Sequence, residues 1–513
     1  MRIGIDVGGT NTDAVIMDGR EVVAWHKTPT TPDVTGGIVT TLDAVCSKTH
    51  LVPRDLSAVM IGTTHFTNAI VEIRRLLLTA AIRVALPATQ ALPPMVAWPQ
   101  LLREAVEGGT YLVHGGSEYD GRDLAPFDEQ EVRAAAADIR RRGVNSVAIT
   151  SVFSPVNPAN EELAARIVQE ELPGAFVTLS NEIGRLGLLE RENAAILNGC
   201  LRELAAHVVG GFRAALKRLD ITAPLFITQN DGTLMSSEFA ERYPVLTFAS
   251  GPTNSMRGAA FLSGRKDAVV VDIGGTTTDV GILVNGFPRE TAVAVEIGGV
   301  RTNFRMPDVL SIGLGGGSVV HRNGAIAVGP ESVGYELERQ ALVFGGDTLT
   351  ATDAAVFAGL VDLGDRGRVA SLERGLMETV IQVIHDRVNE TIGRVKTSAA
   401  PAPVVLVGGG AVLVGRPLSN SAEVVRPPHA EVANAIGAAI AQVGGQVDRV
   451  LSLAGTTRQD ALKQAKAEAI RKAVAAGASQ ETVQIIEVDD VPLTYLPGNA
   501  LRIRVRAVGD LRL

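Results

Sequence analysis

The chain of 513 residues is 46% hydrophobic and 20% charged, with a formal net charge of -8, which predicts a folded protein of more than one domain. Its acidic balance, with a pI of about 5.6, excludes a protein that tracks nucleic-acid phosphates through a basic field. Two cysteines, Cys46 and Cys200, exclude a disulfide framework and a zinc finger.

The first residues predict a strand to Val7, a glycine turn at "DVGGTNTD", a second strand, a "DG" turn and a third strand, "REVVAW". No basic segment leads into an apolar one here, so the cytoplasm is the expected compartment. The most apolar stretch, "LLLTAAIRVALPATQALPPMVAW" from Leu76, is broken by Arg83, Pro87, Pro93 and Pro94 and predicts no membrane span. "EQEVRAAAADIRRRG" and "PANEELAARIVQEELPG" have helical spacing and alternate with the apolar strands "VNSVAITSVF" and "AFVTLS". Residues 189–219 predict a long amphipathic helix, broken or bent near Gly210 and Gly211, with Cys200 in the core. Residues 269–283, "VVVDIGGTTTDVGIL", then repeat the opening unit, again with a following turn, "NG", and a third strand. Glycine-rich turns punctuate short strands from 296 to 347, and "RGLMETVIQVIHDRVNETIGRVK" is a second long helix. "PVVLVGGGAVLVG" is a strand running into a third glycine turn, and "AEVANAIGAAIAQV" a helix of small residues. From about 450 come a strand, the helix "RQDALKQAKAEAIRKAVAAG" and two more strands; the arginines of "LRIRVRAV" predict a solvated face. The expected division is 1–188 and 189–450, two related lobes, with a small C-terminal α/β segment at 451–513.

Aligned on the first aspartate, Asp6, Gly8, Gly9, Thr10, Thr12 and Asp13 correspond to Asp272, Gly274, Gly275, Thr276, Thr278 and Asp279. Glycine lets backbone N–H groups approach a phosphate that any Cβ would block. The hydroxyls of Thr10, Thr12, Thr276 and Thr277 add donors, and the aspartates suit Mg²⁺ held through its water shell. Two such hairpins, one from each lobe, can grip a triphosphate from both sides, while Gly408, Gly409 and Gly410 offer bare backbone to a flat ring. Rival phosphate motifs are missing: there is no G-x-x-x-x-G-K-[ST], and neither "GLGGGS" nor "GGGAVLVG" satisfies G-x-G-x-x-G. ATP and Mg²⁺ are the expected cofactors.

This order of hairpin, hairpin and third glycine turn resembles the actin-like ATPase superfamily. The resemblance implies an α/β, two-lobed, ribonuclease H-like fold with the nucleotide between the lobes. It makes the hairpins the phosphate loops, Gly408–Gly410 the adenosine loop, and Asp6 and Asp272 the catalytic, metal-facing carboxylates. Further strings occur in one order: "IGTTHFTNAI", "SVFSPVNPANE", "ERENAAILNGCL", "TQNDGTLMS", "FASGPTNSMRGAA", "DVLSIGLGGGSV" and "VGPESVG". Together they resemble the A-type chains of the hydantoinase/oxoprolinase family over about residues 2–440. That resemblance implies a subunit that hydrolyses a small cyclic amide (a hydantoin, lactam or oxoproline-like ring) with ATP, by phosphorylating the amide oxygen. It also implies a second, hydrolytic subunit, and no nucleic-acid or membrane partner; homo- and hetero-oligomers both stay open. The family's motif falls on Thr63, Thr64 and Asn68, which with His65 are the substrate candidates; loop capping, or for His65 a plain exposed loop, is the alternative.

The chemistry agrees with what the chain lacks. An unstrained amide is usually opened by a metal-bound water or an activated nucleophile. The eight histidines form no H-E-x-x-H or H-x-H, there is no G-x-S-x-G, and Ser263 with Lys266 is an accidental S-x-x-K. Gly315, Gly316, Gly317 and Ser318 are expected to cradle phosphate or substrate, Gly315 and Gly316 counting among the cofactor-binding residues, with a crowded turn as the alternative. Asp347 and Asp353 are expected to cap the following helix or to assist the metal. The chain departs from the family pattern at "VEIRRLLLTAAIRVALPATQALPP", at "NPANE" and after "VGPESVG", which leaves the substrate open. A carboxylase subunit that phosphorylates a ketone or bicarbonate, and an actin-like reactivation or chaperone ATPase, are the rival readings.

Overall fold

Each of the two Gly-Gly-Thr turns joins an antiparallel strand pair in which two aspartates face each other across the ladder. In the computed structural model, which describes residues 1–30, 34–49, 53–291, 294–322, 324–419, 421–453, 455–493 and 500–512, the strands Arg2–Val7 and Asn11–Asp18 pair Asp6 with Asp13. The strands Ala268–Ile273 and Thr278–Val284 pair Asp272 with Asp279 in the same register. The first strand of each pair then takes a parallel neighbour, Ala58–Thr63 in one case and Ala402–Val407 in the other. A further parallel strand follows in each, Leu225–Thr228 and Ser421–Val425. The sheets thus repeat one strand order, third–second–first–fourth–fifth. This is the two-lobed ribonuclease H-like architecture that the sequence predicts.

The sheets meet through the helices Ser250–Ser263 and Ala433–Ala439. These cross backbone to backbone: a Cβ on Gly258 would lie 1.9 Å from the Ala433 carbonyl oxygen, and one on Gly437 1.8 Å from that of Asn254. Only glycine allows that approach. Between residues 79 and 179 the first lobe carries an all-parallel, four-stranded sheet, with Thr79–Leu86 and Ser146–Ser151 at its centre. It is covered by the buried helix Leu188–Cys200 and pinned to it where Arg83 Nε donates to Glu192 Oε1 at 2.8 Å.

Several expectations change. The helical run 189–219 breaks at Leu201, between Leu188–Cys200 and Arg202–Arg218, and passes through Gly210 and Gly211 without interruption. Gly210 faces open space, so it weakens the helix by about 1 kcal/mol relative to alanine without breaking it. The sheet of the first hairpin also passes both expected boundaries. It takes in Leu225–Thr228 and Thr233–Ser236, then Gln442–Ser452, Ala500–Gly509 and Gln484–Pro492. The C-terminal residues therefore extend the first lobe, and the helix Arg458–Ala475 seals them with buried Ala461, Ala465, Ala469 and Ala473 along one face.

An arm ties the lobes. Between Phe287–Pro288 and Val309–Ile312 the chain leaves the second lobe and buries Ile297, Val300, Phe304 and Met306 in the core of the first. At its base stands Glu290, whose carboxylate meets Arg305 at 3.3 Å, Arg506 at 3.1 Å, Arg185 at 3.5 Å, and Arg504. The basic face of the last strand is therefore not solvated: the Arg504 and Arg506 side chains are 14% and 4% exposed. Among the described residues no helix is long and apolar enough to cross a membrane.

Candidate active site

The two hairpin turns face each other across the lobe boundary. Both close in the same way: Gly8 N–H donates to the Asn11 carbonyl at 3.0 Å, and Gly274 N–H to that of Thr277 at 2.9 Å. Their tips touch, with the Thr10 and Thr276 hydroxyls 3.2 Å apart. The cleft between them is lined by Gly8, Gly9 and Thr10 from the first turn and by Asp272, Gly274, Gly275, Thr276 and Thr277 from the second. Gly408 and Gly409 line it as well. Gly408 has φ +83°, and a Cβ there would lie 2.3 Å from Asp272 Oδ1, so the third turn needs glycine to seat that carboxylate. The cavity is about 150 Å³, below the roughly 300–1,000 Å³ that small-molecule ligands occupy.

The carboxylates are unusual. Asp6 sits beneath the cleft rather than on its wall, capped by the Asn434 amide, which donates to Asp6 Oδ2 at 2.9 Å. Asp13 and Asp272 are on the wall, with Glu431 beside them. Burial, then the charge of Asp13, pushes Asp6 up to about 6; burial, then the charge of Asp272, does the same for Asp279. Asp13 and Asp272 are raised too, mainly by burial. Ser255 donates to Asp272 Oδ2 and Ser311 to Asp279 Oδ1, while Asp6 Oδ1 is buried without a hydrogen-bond partner. Buried, mutually repelling carboxylates suit a hard cation, although Asp6 Oδ1 itself faces Gly62 and the Asn254 amide. Among the described residues no three His, Cys, Asp or Glu side chains group closely enough to cage a metal.

A pH dependence follows. A cation must displace the proton that Asp6 holds below about 6, Asp279 standing outside the cleft lining with a like value, so Mg·ADP affinity is expected to rise from pH 5 to 7 and then level off, as calorimetry would record. Without a cation the sign reverses for stability. Both groups stay protonated in the fold up to about 6, against an ordinary value of 3.8. The stability they add at low pH is therefore lost as pH rises from about 4 to 6.

The remaining candidates fall into two groups. Thr63 ends the strand beside Val7, next to the first hairpin, and its Oγ1 lies 2.5 Å from His65 Nδ1. Burial, then Arg75, pushes His65 down to about 4, so the ring is neutral at pH 7. Thr64 reaches back to the Val7 carbonyl at 3.4 Å, and Asn68 is exposed one turn further along the helix His65–Val71. These four cluster at the same sheet edge as the cleft without lining it. The second group is packed behind the turns. Thr12 is buried and its hydroxyl lies 3.3 Å from that of Thr30. Gly410 packs on Ile273. Gly316 and Gly317 donate their N–H groups to the Gly274 and Gly275 carbonyls, and Gly315 N–H goes to Ser318 Oγ. That loop buttresses the second hairpin turn and has no N–H left for an anion. Asp353 closes a capping box with Thr350, its helix-cap reading. Lys27, Ser255, Glu431 and Asn434 line the cleft unforeseen; only Lys27 sits in the repeated unit, and the second copy has no counterpart for it.

Comparison with known proteins agrees. The model of the hydantoinase/oxoprolinase N-terminal region matches residues 2–172, and that of hydantoinase/oxoprolinase matches residues 191–402. The alpha subunit of the caprolactamase of Pseudomonas jessenii is 26% identical over 441 residues, 79% of this chain and 61% of that protein. The gamma subunit of the acetophenone carboxylase of Aromatoleum aromaticum is 27% identical over 430 residues, 74% of this chain and 57% of that protein. The chain thus matches 61% and 57% of the length of these relatives. The solved ATP-dependent caprolactamase from Pseudomonas jessenii shares the fold at a TM-score of 0.79 and 19% identity, covering 100% of this chain and 88% of that one. Nucleotide-free acetone carboxylase does so at 0.71 and 19%, with the same coverage of 100% and 88%. With matches running from residue 2 to residue 402, the chain belongs to the hydantoinase/oxoprolinase family.

Proposed function

We propose that this chain is the ATP-using subunit of a cyclic-amide hydrolase, phosphorylating the amide oxygen of a hydantoin, lactam or oxoproline-like ring. The observation that carries the reading is the pair of facing glycine–threonine hairpins with buried carboxylates between them. Gly8–Thr10 and Gly274–Thr277 hold the phosphates, Gly408 and Gly409 the adenosine, and Asp272 faces the metal with Asp6 behind it. Asp272, with Asp6 behind it, would hold Mg²⁺ through its water shell, and the ion would neutralise phosphate charge during transfer. The amide oxygen forms a bond to the γ-phosphorus while the bond to the β–γ bridging oxygen breaks, and that electron pair leaves on ADP. The amide N–H proton passes to water as the neutral imidate forms. We assign Thr63, Thr64, His65 and Asn68, at the strand end beside the first hairpin, to hold the ring. A neutral His65 donates or accepts a hydrogen bond without adding charge.

Water addition and ring opening are assigned to a second subunit. The relatives are themselves named as parts of assemblies, one an alpha and one a gamma subunit, which supports an arrangement of that kind. A carboxylase component that acts on a ketone or bicarbonate is the second reading. It is supported by two relatives, the gamma subunit of acetophenone carboxylase and the beta subunit of acetone carboxylase.

A panel of ¹⁸O-carbonyl 5-oxoproline, hydantoin, caprolactam and acetone, scored by ADP release with and without the neighbouring subunits, separates these readings. The expected result is ADP release stimulated by a cyclic amide, with ¹⁸O in the released phosphate. Stimulation by acetone alone would favour the carboxylase. ATP hydrolysis indifferent to every carbonyl compound would defeat both.

A further inference from the structure

The wall of the cleft is acidic. Asp13, Asp272 and Glu431 line it, and Lys27 is the one basic side chain among its described lining residues. A nucleotide adds further negative charge, so the cleft needs cations where the terminal phosphate lies. We infer that Lys27 is a catalytic residue of this site, contacting the γ-phosphate and stabilising its charge during transfer, with Asp13 as its positioning residue. This rests on the nucleotide reading above.

The geometry comes from strand register. The strand Glu21–Pro29 pairs with Asn11–Asp18 so that Lys27 lies directly opposite Asp13, and cross-strand partners project on the same face. Lys27 Nζ stands 2.7 Å from Asp13 Oδ1 and 2.8 Å from Oδ2. The aspartate side chain is 2% exposed and the lysine 29%. The carboxylate is thus a buried anchor, and the ammonium reaches from it into open cleft. An ammonium has three donors and no acceptor, so hydrogen-bonding capacity remains for an anion while the anchor holds. Its field also reaches the opposite hairpin, where it favours the charged form of Asp272.

The arrangement is one-sided. In the second copy the third strand is Phe287–Pro288, paired with Leu283 and Val284, and no lysine stands opposite Asp279. The adenosine turn, Gly408–Gly409, belongs to the second lobe. The far end of the nucleotide therefore points to the first hairpin, where Lys27 stands and where the Thr63 edge begins. A cation that touches the transferring group acts on charge that develops there, whereas a structural ion pair acts only on the fold.

The test measures affinity for ADP and for the non-hydrolysable ATP analogue AMP-PNP by calorimetry, together with turnover, in Lys27→Met, Lys27→Arg, Asp13→Asn and the double variant Asp13→Asn/Lys27→Met. The double variant leaves no buried unpaired charge, so it guards against a variant that fails to fold. Lys27→Met is expected to bind ADP within about 3-fold of wild type and to lose about 10-fold of the preference for AMP-PNP over ADP. Turnover is expected to fall by about 100-fold or more, as on removal of one preorganised donor to the transition state, with partial recovery in Lys27→Arg. In the Asp13→Asn background, Lys27→Met should again remove the AMP-PNP preference. An unchanged preference in both backgrounds would overturn the assignment and leave Lys27 as an ion-pair partner only. Absence of binding of either nucleotide to the wild-type protein would instead overturn the nucleotide reading beneath it.

Discussion

Replacing Asp272 with asparagine is expected to slow substrate-dependent ATP turnover by on the order of 100-fold or more. The substitution keeps the shape of a side chain seated between the Ser255 hydroxyl and the bare Cα of Gly408. What it removes is one negative charge on the cleft wall, where the metal and the transferring phosphate must sit. Because that interaction grows as charge moves in the transition state, kcat should fall more than the affinity for ADP. Asp6→Asn is expected to act similarly by a different route. Asp6 lies under the cleft and accepts from the Asn434 amide, so its loss disturbs both charge and that contact. Asp18→Asn, at an exposed hairpin turn, should leave kcat unchanged. Steady-state kinetics on the three variants decides the matter, and equal activity in all three would make the repeated aspartates purely structural.

The second large effect is on stability. Glu290→Gln should cost about 3–5 kcal/mol, the range for breaking a buried ion pair and leaving its partner uncompensated. Glu290 is 9% exposed and receives Arg185, Arg305, Arg504 and Arg506. Burial already pushes Arg305 down to about 10, so removing the shared anion leaves guanidinium groups repelling one another in a poorly hydrated place. The residue also joins the arm of the second lobe to the last strand of the first. The apparent Tm is expected to fall on the order of 10 °C, with the C-terminal residues becoming sensitive to protease. Glu238→Gln removes the partner of Arg213 in a pair whose carboxylate is 74% exposed, and should change Tm little. An unchanged Tm in Glu290→Gln would mean that the arginines find other anions or water.

The parts of the fold legible in the sequence were those whose cause is local. Two copies of a strand, a Gly-Gly-Thr turn and a second strand encode both hairpins, and the pairings Asp6–Asp13 and Asp272–Asp279 follow from the turn length. Gly408 was legible because it must be glycine. The rest depends on partners far along the chain. Alternating arginines in "LRIRVRAV" read the same whether they face water or a buried carboxylate, and the deciding residue, Glu290, lies 214 positions from Arg504. Lys27 was hidden because repeat comparison reveals only what both copies share. Asn434 and Glu431 were hidden beside a stripe of small residues whose plain purpose is helix crossing. Gly315–Gly317 read as a phosphate loop because glycine density is the same for a cradle and for a buttress; only the destination of each N–H tells them apart.

The central claim is that a nucleotide lies between the two hairpins. A structure of the protein with Mg²⁺ and AMP-PNP tests it most directly. The account predicts the triphosphate between Gly8–Thr10 and Gly274–Thr277, the adenosine against Gly408 and Gly409, and the hydroxyls of Thr10 and Thr276 drawn apart from their 3.2 Å contact. Hairpins still in contact, with the nucleotide bound elsewhere or absent at millimolar concentration, would contradict it.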